Sequence, residues 1–403
     1  TYDVVIIGGG PGGYTAAIRA TQLGGKVALV EKNKLGGICN NYGCIPSKTM
    51  LRLAEIQSNI SVAGQFGIKL VKSGIDVKQL IENRDALLNR LATSIETLLK
   101  SNNVRIVFGR AEIKSKNEIL VSKSDTSIEV IGSKNIIVAT GASGTKPKIF
   151  GDSRNTMNSE EFLSSSYLPE KILIVGGGPE GVEFASMLSN FGCDVTIAEM
   201  LDRLLPQEDK EISSRAQKIL EDDGVKVLTG FRVIEVKDDD LSVKVKLSNG
   251  KSLEAEKVII SIGRKPNTQD IGIENVGVKL NELVMIIVND KMETSVKGIY
   301  AIGDVTGGRY AHEAMENGIV AAENAMKLNS SMKNQMIPRC IYTIPEVACI
   351  GLTEDEAKKK HNVIIGKFYF KASGRAMTLG DTNGFVKVII DKKSKKFLGM
   401  HMI

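Results

Sequence analysis

Cysteine is scarce in this 403-residue chain, with five residues: Cys39, Cys44, Cys193, Cys340 and Cys349. That is too few for a disulfide scaffold, so a reducing compartment is the default. Histidine is scarcer still, with three residues. No apolar run approaches the ~18 residues needed to cross a bilayer. Thr1 leads within two residues into a strand-like run, not a signal peptide. One-sided charge is also missing. The net +6 comes from lysines scattered among Asp and Glu, which reads as solvated surface and argues against a nucleic-acid or membrane partner. Hydrophobic residues make up 42% of the chain, enough for packed cores, and at roughly 100–200 residues per domain the length suggests about two to four domains.

What is abundant is a repeat. DVVIIGGGPGGYTAAIRATQLGGKVALVEK, from Asp3 to Lys32, has a partner in KILIVGGGPEGVEFASMLSNFGCDVTIAEM, from Lys171 to Met200. Both run apolar strand, glycine turn, helix, second apolar strand, acidic residue. Gly8 to Glu31 and Gly176 to Glu199 each span 23 positions. One glycine cluster alone is a weak signal, but two full units in one register predict two dinucleotide-binding domains. The first glycine (Gly8, Gly176) permits the tight turn, and the second (Gly10, Gly178) lets a pyrophosphate approach the backbone. The third (Gly13, Gly181) lets helix and strand pack closely. The pyrophosphate then meets free amides at a helix start, where the dipole favours an anion. Glu31 and Glu199 can accept from ribose hydroxyls. A carboxylate at Glu199 repels a 2′-phosphate and so favours NAD over NADP, an inference that nearby Arg203 weakens.

The remainder arranges itself around these units. A long amphipathic helix is predicted over Ile75–Leu99, with short strands at Val104–Phe108, Ile119–Val121, Ile136–Val138 and Lys257–Ile260. The expected class is α/β, with two Rossmann-like dinucleotide-binding domains and an α+β C-terminal domain. Their boundaries are 1–140 for the first, 141–265 for the second, 266–332 for a return to the first, and 333–403 for the last. In the last, strands at Lys367–Phe370 and Phe385–Ile390 surround a charged helix at Glu354–Lys360.

The segment GGICNNYGCIPSK, Gly36 to Lys48, carries the redox chemistry. Pro46 suits the first turn of a helix, which puts Cys44 at a helix N-terminus with Lys48 one turn on. Both features stabilise a thiolate, and a thiolate attacks disulfides. Two buried inert thiols are one alternative, and half of a metal site is another. The metal reading needs a second Cys pair or a nearby His, and the sequence offers neither, so no metal is expected. A redox-active disulfide is the favoured reading. Cys193, Cys340 and Cys349 read as structural, since free Cys is often buried.

The motif resembles the redox signature of the pyridine nucleotide–disulfide oxidoreductases. Its IPSK ending is more similar to dihydrolipoamide dehydrogenases than to glutathione reductases, and mercuric reductases have a close variant. The resemblance continues through ATG at Ala139–Gly141, GRKPN from Gly263, YAIGD at Tyr300–Asp304, AHEA at Ala311–Ala314, YTIPEVACIGLTE from Tyr342 and ASGRAMTLGDTNGFVKV from Ala372, nearly the whole chain. It implies that Gly8, Gly10, Gly13, Glu31 and Gly37 hold FAD, with Ala111, Asp304 and Ala311 lining it. By spacing alone Asp304 reads as a turn residue. Cys39 would be the interchange thiol, touching substrate, and Cys44 the thiol against the flavin. Lys48 would sit by the reactive flavin nitrogen, paired with Glu183. Without the family, Lys48 is an exposed helix lysine and Glu183 a first-turn glutamate. Gly176, Gly178, Gly181, Glu199 and Gly263 would bind NAD, with Val233 a weaker candidate. The implied reaction is oxidation of a dihydrolipoyl group with NAD⁺. The substrate would be a lipoyl-bearing protein or a small dithiol, in a 2-oxoacid dehydrogenase or glycine cleavage complex of the cytoplasm or, alternatively, the mitochondrial matrix.

Family members are homodimers in which the partner's C-terminal segment supplies a histidine base and an orienting glutamate. His312, His361 and His401 match no such position, so the chain is expected to lack its last segment and to accept hydride from NADH better than it oxidises dihydrolipoamide. Ile38 stands where threonine is usual. Pro179 and Glu180 replace a more apolar pair, and Glu180 would weaken pyrophosphate binding unless it points to solvent. The competing functions are another flavin disulfide or mercuric ion reductase, and a non-enzymatic scaffold that keeps FAD for stability.

Overall fold

The computed structural model describes residues 1–69, 74–151, 153–239, 241–333 and 335–403. They fall into two compact units. The first comprises Thr1–Pro46, Glu82–Ser143 and Arg264–Gln335, and the second Ser47–Ile81, Gly144–Gly263 and Met336–Ile403.

In the first unit, the strand Tyr2–Ile7 runs parallel between Val27–Glu31 and the second half of Ile128–Val138. Arg105–Phe108 and Ile299–Ala301 extend the parallel layer on either side. Val4, Val5 and Ile6 are fully buried, as a parallel strand covered on both faces requires. One face meets the helices Pro11–Gln22 and Ala311–Ala325, whose contact is lined by fully buried Ala16, Ala17, Ala20, Ala321 and Ala322. The backbones approach so closely that a Cβ at Gly318 would lie 2.5 Å from the Gly12 carbonyl oxygen. The first half of Ile128–Val138 leaves this layer and pairs antiparallel with Glu118–Ser122, which pairs with Arg110–Ser115.

The second unit repeats the plan. Lys171–Val175 runs parallel between Asp194–Glu199 and Lys257–Ile260, with Lys226–Thr229 and Thr156–Asn158 outside. Val233–Asp238, Val243–Leu247 and Ser252–Ala255 form its antiparallel layer. It also holds a five-stranded antiparallel sheet in the order Arg339–Ile341, Val347–Gly351, Phe397–Met402, Phe385–Asp391, Val363–Tyr369.

The long helix runs Val77–Ser101, two residues later than expected at both ends, and the charged helix is Glu354–Lys360. The short strand expected at Ile136–Val138 is the end of an 11-residue strand. Phe370 belongs to a 3-10 turn, not to the strand before it, which is Val363–Tyr369. No described helix is long and apolar enough to cross a membrane.

Candidate active site

The first glycine turn joins Tyr2–Ile7 to the helix Pro11–Gln22. Gly8 has φ 110°, and a Cβ on Gly13 would collide with the Gly8 carbonyl, so both positions require glycine. The helix start has no side-chain cap and no acidic residue in its first turn. Its first amides are therefore open to an anion. At the end of Val27–Glu31, the Glu31 carboxylate is nearly buried. It accepts from the Gly9 amide at 2.7 Å and from the Asn33 amide at 2.7 Å, bracing the turn against the second strand.

The Gly36–Gly37 segment folds back on this turn. The Gly36 amide donates to the Gly9 carbonyl at 2.8 Å, and a Cβ on Gly37 would lie 2.8 Å from the Gly10 Cα. Gly37 opens the short helix Gly37–Asn41, in which Asn41 Nδ2 donates to the Leu35 and Gly37 carbonyls at 3.0 and 2.9 Å. Cys39 lies in this helix. It is disulfide-bonded to Cys44, the first residue of the helix Cys44–Val62, with a Cα–Cα separation of 4.5 Å. The sequence signature therefore forms the bond it suggests, at a helix start where a thiolate released from Cys44 gains from the dipole. Asn40 is buried, and its Nδ2 has no partner among the described residues, a donor available to a bound group.

Asp304 sits in the turn Gly303–Thr306, just after Ile299–Ala301. The Ile302 amide donates to the Val138 carbonyl at 3.0 Å, which puts Asp304 at the carboxyl ends of the same strands that end in Gly8. Arg264 Nε lies 3.7 Å from its carboxylate. Ala311 opens the helix Ala311–Ala325, which like Gly37–Asn41 has no side-chain cap but carries Glu313 in its first turn. Ala111 lies in the antiparallel layer with its methyl in the core, so it can offer a ligand only its backbone. The open helix start at Pro11, the glycine turn and the unpartnered Asn40 amide fit a dinucleotide such as FAD.

The second turn repeats the first. Gly176 has φ 111°, a Cβ on Gly181 would strike the Gly176 carbonyl, and a Cβ on Gly178 would meet nothing within 4 Å. Glu199 accepts from the Gly177 amide at 2.5 Å and the Leu201 amide at 2.7 Å. The Phe231 amide donates to the Glu199 carbonyl at 3.0 Å, which brings Val233, two residues on, towards this strand end. Gly263, with φ 114°, follows Lys257–Ile260 and accepts from the Thr145 amide at 3.0 Å. Arg203 turns back to donate to the Pro206 carbonyl at 2.8 Å, within its own loop. Glu180 is half-buried, with Ser261 Oγ 3.5 Å from its carboxylate, so it does not stand clear in solvent.

Lys48 and Glu183 are brought together across 135 residues. Lys48 Nζ donates to the Glu183 carboxylate at 2.7 Å. The other Glu183 oxygen accepts from the Tyr342 amide at 2.9 Å, and Lys48 Nζ lies 4.3 Å from the centre of the Tyr342 ring. Sequence reasoning gave Tyr342 no role, although it opens a motif already noted. The three histidines lie elsewhere: His312 stacks on Tyr310, exposed His361 meets Asp391 at 3.2 Å, and His401 is fully buried. Burial pushes the Cys193 thiol up to about 11. Burial first, and Glu208 second, push Cys349 higher still, so neither resembles a reactive thiolate.

An exchangeable disulfide in a chain with two separate dinucleotide turns defines a class, an oxidoreductase that couples thiol chemistry to nucleotide cofactors. A family profile described as "Pyridine nucleotide-disulphide oxidoreductase" matches residues 2–327, and that family's dimerisation domain matches residues 337–403. The chain belongs to the pyridine nucleotide–disulphide oxidoreductase family, and its cofactors are FAD and NAD. It is 41% identical to a dihydrolipoyl dehydrogenase of Bacillus subtilis, over all of this chain and 88% of that protein. It is also 41% identical to a dihydrolipoyl dehydrogenase of Thermus scotoductus, over the same shares. Among solved structures it resembles the HOCl-induced flavoprotein disulfide reductase RclA of Escherichia coli at 29% identity and a TM-score of 0.88, covering 99% of this chain and 88% of that one.

Proposed function

We propose that the chain oxidises dihydrolipoamide, or the dihydrolipoyl arm of a carrier protein, with NAD⁺ as final acceptor. It would act as a homodimer in a 2-oxoacid dehydrogenase complex or glycine cleavage system, in the cytoplasm or the mitochondrial matrix. The observation that carries this reading is the Cys39–Cys44 disulfide at the start of the helix that also bears Lys48.

One thiolate of the substrate attacks Cys39 Sγ. The Cys39–Cys44 bond breaks, and Cys44 leaves as a thiolate favoured by the helix start. The second substrate thiol then attacks its partner sulfur in the mixed disulfide. Cys39 is released, and the substrate departs as a cyclic disulfide, with two electrons left on the protein pair. Bound FAD would supply the two-electron acceptor for that pair and the hydride donor for NAD⁺. Gly8, Gly10, Gly13, Glu31, Gly37, Ala111, Asp304 and Ala311 would hold it, while Gly176, Gly178, Gly181, Glu199, Gly263 and Val233 would hold NAD. Glu183 keeps the Lys48 ammonium in one place.

The test is an anaerobic titration of the FAD-loaded protein with dihydrolipoamide, then NADH, following the visible spectrum. Long-wavelength absorbance from a thiolate beside oxidised flavin, on adding dihydrolipoamide, supports the reading. Reduction by NADH but by no dithiol, together with turnover of Hg²⁺ or another disulfide, would replace it with the corresponding reductase.

A further inference from the structure

A row of polar side chains crosses the five-stranded sheet of the second unit. Arg339 pairs with Cys349, Cys349 with His401, and His401 with Lys387, each directly opposed on adjacent antiparallel strands. Directly opposed residues project from the same face, so the four form one line. Acidic residues from the loop and helix start at 208–211 meet both ends. Arg339 donates to the Glu208 carboxylate from Nε at 3.0 Å and Nη2 at 3.0 Å, and Lys387 donates to Asp209 at 2.8 Å.

In the middle, Cys349 hydrogen-bonds Glu208, while His401 hydrogen-bonds no acidic group. His401 is fully buried. Its Nε2 lies 2.9 Å from the Leu352 carbonyl, which can only accept, so Nε2 carries a hydrogen and in the neutral ring Nδ1 offers its lone pair. That Nδ1 has no hydrogen-bond partner among the described residues. Cys349 Sγ, a Glu208 carboxylate oxygen and a ring nitrogen of His401 all lie within 4.8 Å of one another, on residues that are all buried. A metal-bound histidine commonly donates its other ring N–H to a backbone carbonyl, as His401 does to Leu352. A Cβ at Gly399 would strike the Leu352 carbonyl oxygen at 2.1 Å and crowd His401 Nε2 at 3.2 Å, so glycine there leaves room for the contact between them.

We propose that Glu208, Cys349 and His401 form a binding site for a thiophilic divalent cation of the Zn²⁺ class, separate from the redox pair. One sulfur, one imidazole nitrogen and one carboxylate oxygen make a set that tetrahedral Zn²⁺ accepts, with a fourth position for water. A cavity of about 790 Å³, lined by Glu208, Arg339, Gly351 and Leu352 among others, reaches the Glu208 ligand of the set. Arg339 holds both oxygens of that carboxylate, Nε reaching Oε1 at 3.0 Å and Oε2 at 3.1 Å, and a metal would share one of them. On binding, the Cys349 S–H bond gives way to an S–metal bond and its proton leaves to solvent. No electron is transferred.

Co²⁺ is the probe, added to oxidised, FAD-loaded full chain carrying Cys39→Ser and Cys44→Ser, so that the redox pair cannot supply thiolate. The site predicts one Co²⁺ per chain after dialysis, a thiolate-to-cobalt band in the near ultraviolet, and four-coordinate bands to the red of the flavin. Adding Cys349→Ser or His401→Gln should each weaken binding about tenfold or more, and Cys349→Ser should abolish the thiolate band. If either variant fails to fold, the unsubstituted site still decides. Folded protein that keeps Cys349 and His401 but binds no Co²⁺, or binds it without a thiolate band, overturns the proposal. So does binding that both variants leave intact.

Discussion

The two strand–turn–helix modules share a backbone and differ at one position in the turn. Gly12 of the first aligns with Glu180 of the second. At Gly12 a Cβ would lie 2.8 Å from the Ala314 carbonyl, because the helix Ala311–Ala325 seals that flank. At Glu180 there is room for a carboxylate, which sits in the first helical turn. Further along, Thr15 aligns with Glu183, which holds Lys48 and the Tyr342 amide. A neutral helix start under a second helix suits a cofactor that stays bound. An acid-bearing start suits one that must leave after each turnover, because the acid opposes the pyrophosphate that the free amides attract.

The sharpest way to break this comparison is to damage both turns equally. Gly13→Ala and Gly181→Ala each place a methyl against the carbonyl of the turn's first glycine. In the first module the expected outcome is loss of most bound flavin and a large drop in thermal stability, read from the flavin-to-protein absorbance ratio and a melting curve. In the second, flavin should stay and dithiols should still reduce it, while KM for NAD⁺ rises at least about tenfold. Equal loss of flavin in the two variants would mean that the modules are not independent.

A smaller difference concerns how the second unit meets acid. Burial works to raise the Asp209 carboxyl, but hydrogen bonds from Lys387 and from the Glu354 and Glu211 amides outweigh it and hold it below the ordinary aspartate value. A depressed carboxylate contributes stability above its unfolded pKa and loses it as pH falls through the folded value. Burial works to lower Lys387, and its bonds to Asp209 and Glu354 raise it instead. Asp209→Asn leaves that buried ammonium with Glu211 and Glu354 only and should cost about 2–3 kcal/mol near neutrality. Urea denaturation at several pH values should show the gap from the parent protein closing as pH drops below the ordinary aspartate range. A gap that stays constant would show that Asp209 acts by packing alone.

Glu183 tests the other divergence. Glu183→Gln still offers an oxygen to the Tyr342 amide but removes the charge facing Lys48. Partial exposure of Lys48 discounts the loss to about 1–3 kcal/mol. The dithiol half-reaction should slow by roughly tenfold to a hundredfold with flavin content unchanged, as stopped-flow reduction would measure.

What the sequence made legible follows distance along the chain. The glycine turns, Glu31, Glu199 and the Cys39–Cys44 pair are local patterns, each complete within about thirty residues, so periodicity and spacing were enough to find them. The Lys48–Glu183 pair spans 135 positions, and only the family resemblance pointed to it. The row Arg339, Cys349, His401, Lys387 left no local trace, because each strand contributes one member and strand order is not written in any one strand. Cys349 therefore read as a structural thiol, and His401 as a histidine that matches no position for the family's base. The strand Ile128–Val138 looked short because Gly132, Ser133 and Lys134 interrupt its apolar run where it passes from one layer to the other.

The finest contrast is the charge at Glu180 itself. Glu180→Gln removes a carboxylate from a helix start, where it stabilises the helix by about 0.3–1 kcal/mol, so the variant should melt slightly earlier. The same change removes a repulsion from the pyrophosphate site. Between charges at this half-buried but water-accessible turn, the gain is about 0.5–1 kcal/mol, a lowering of KM for NAD⁺ by about twofold to fivefold. Higher ionic strength should shrink that gain, because salt screens the parent's repulsion and leaves the variant little to recover. A KM that rises instead would mean that the contact between Ser261 and Glu180 shapes the turn for NAD. The modules would then differ in geometry where they now look different in charge.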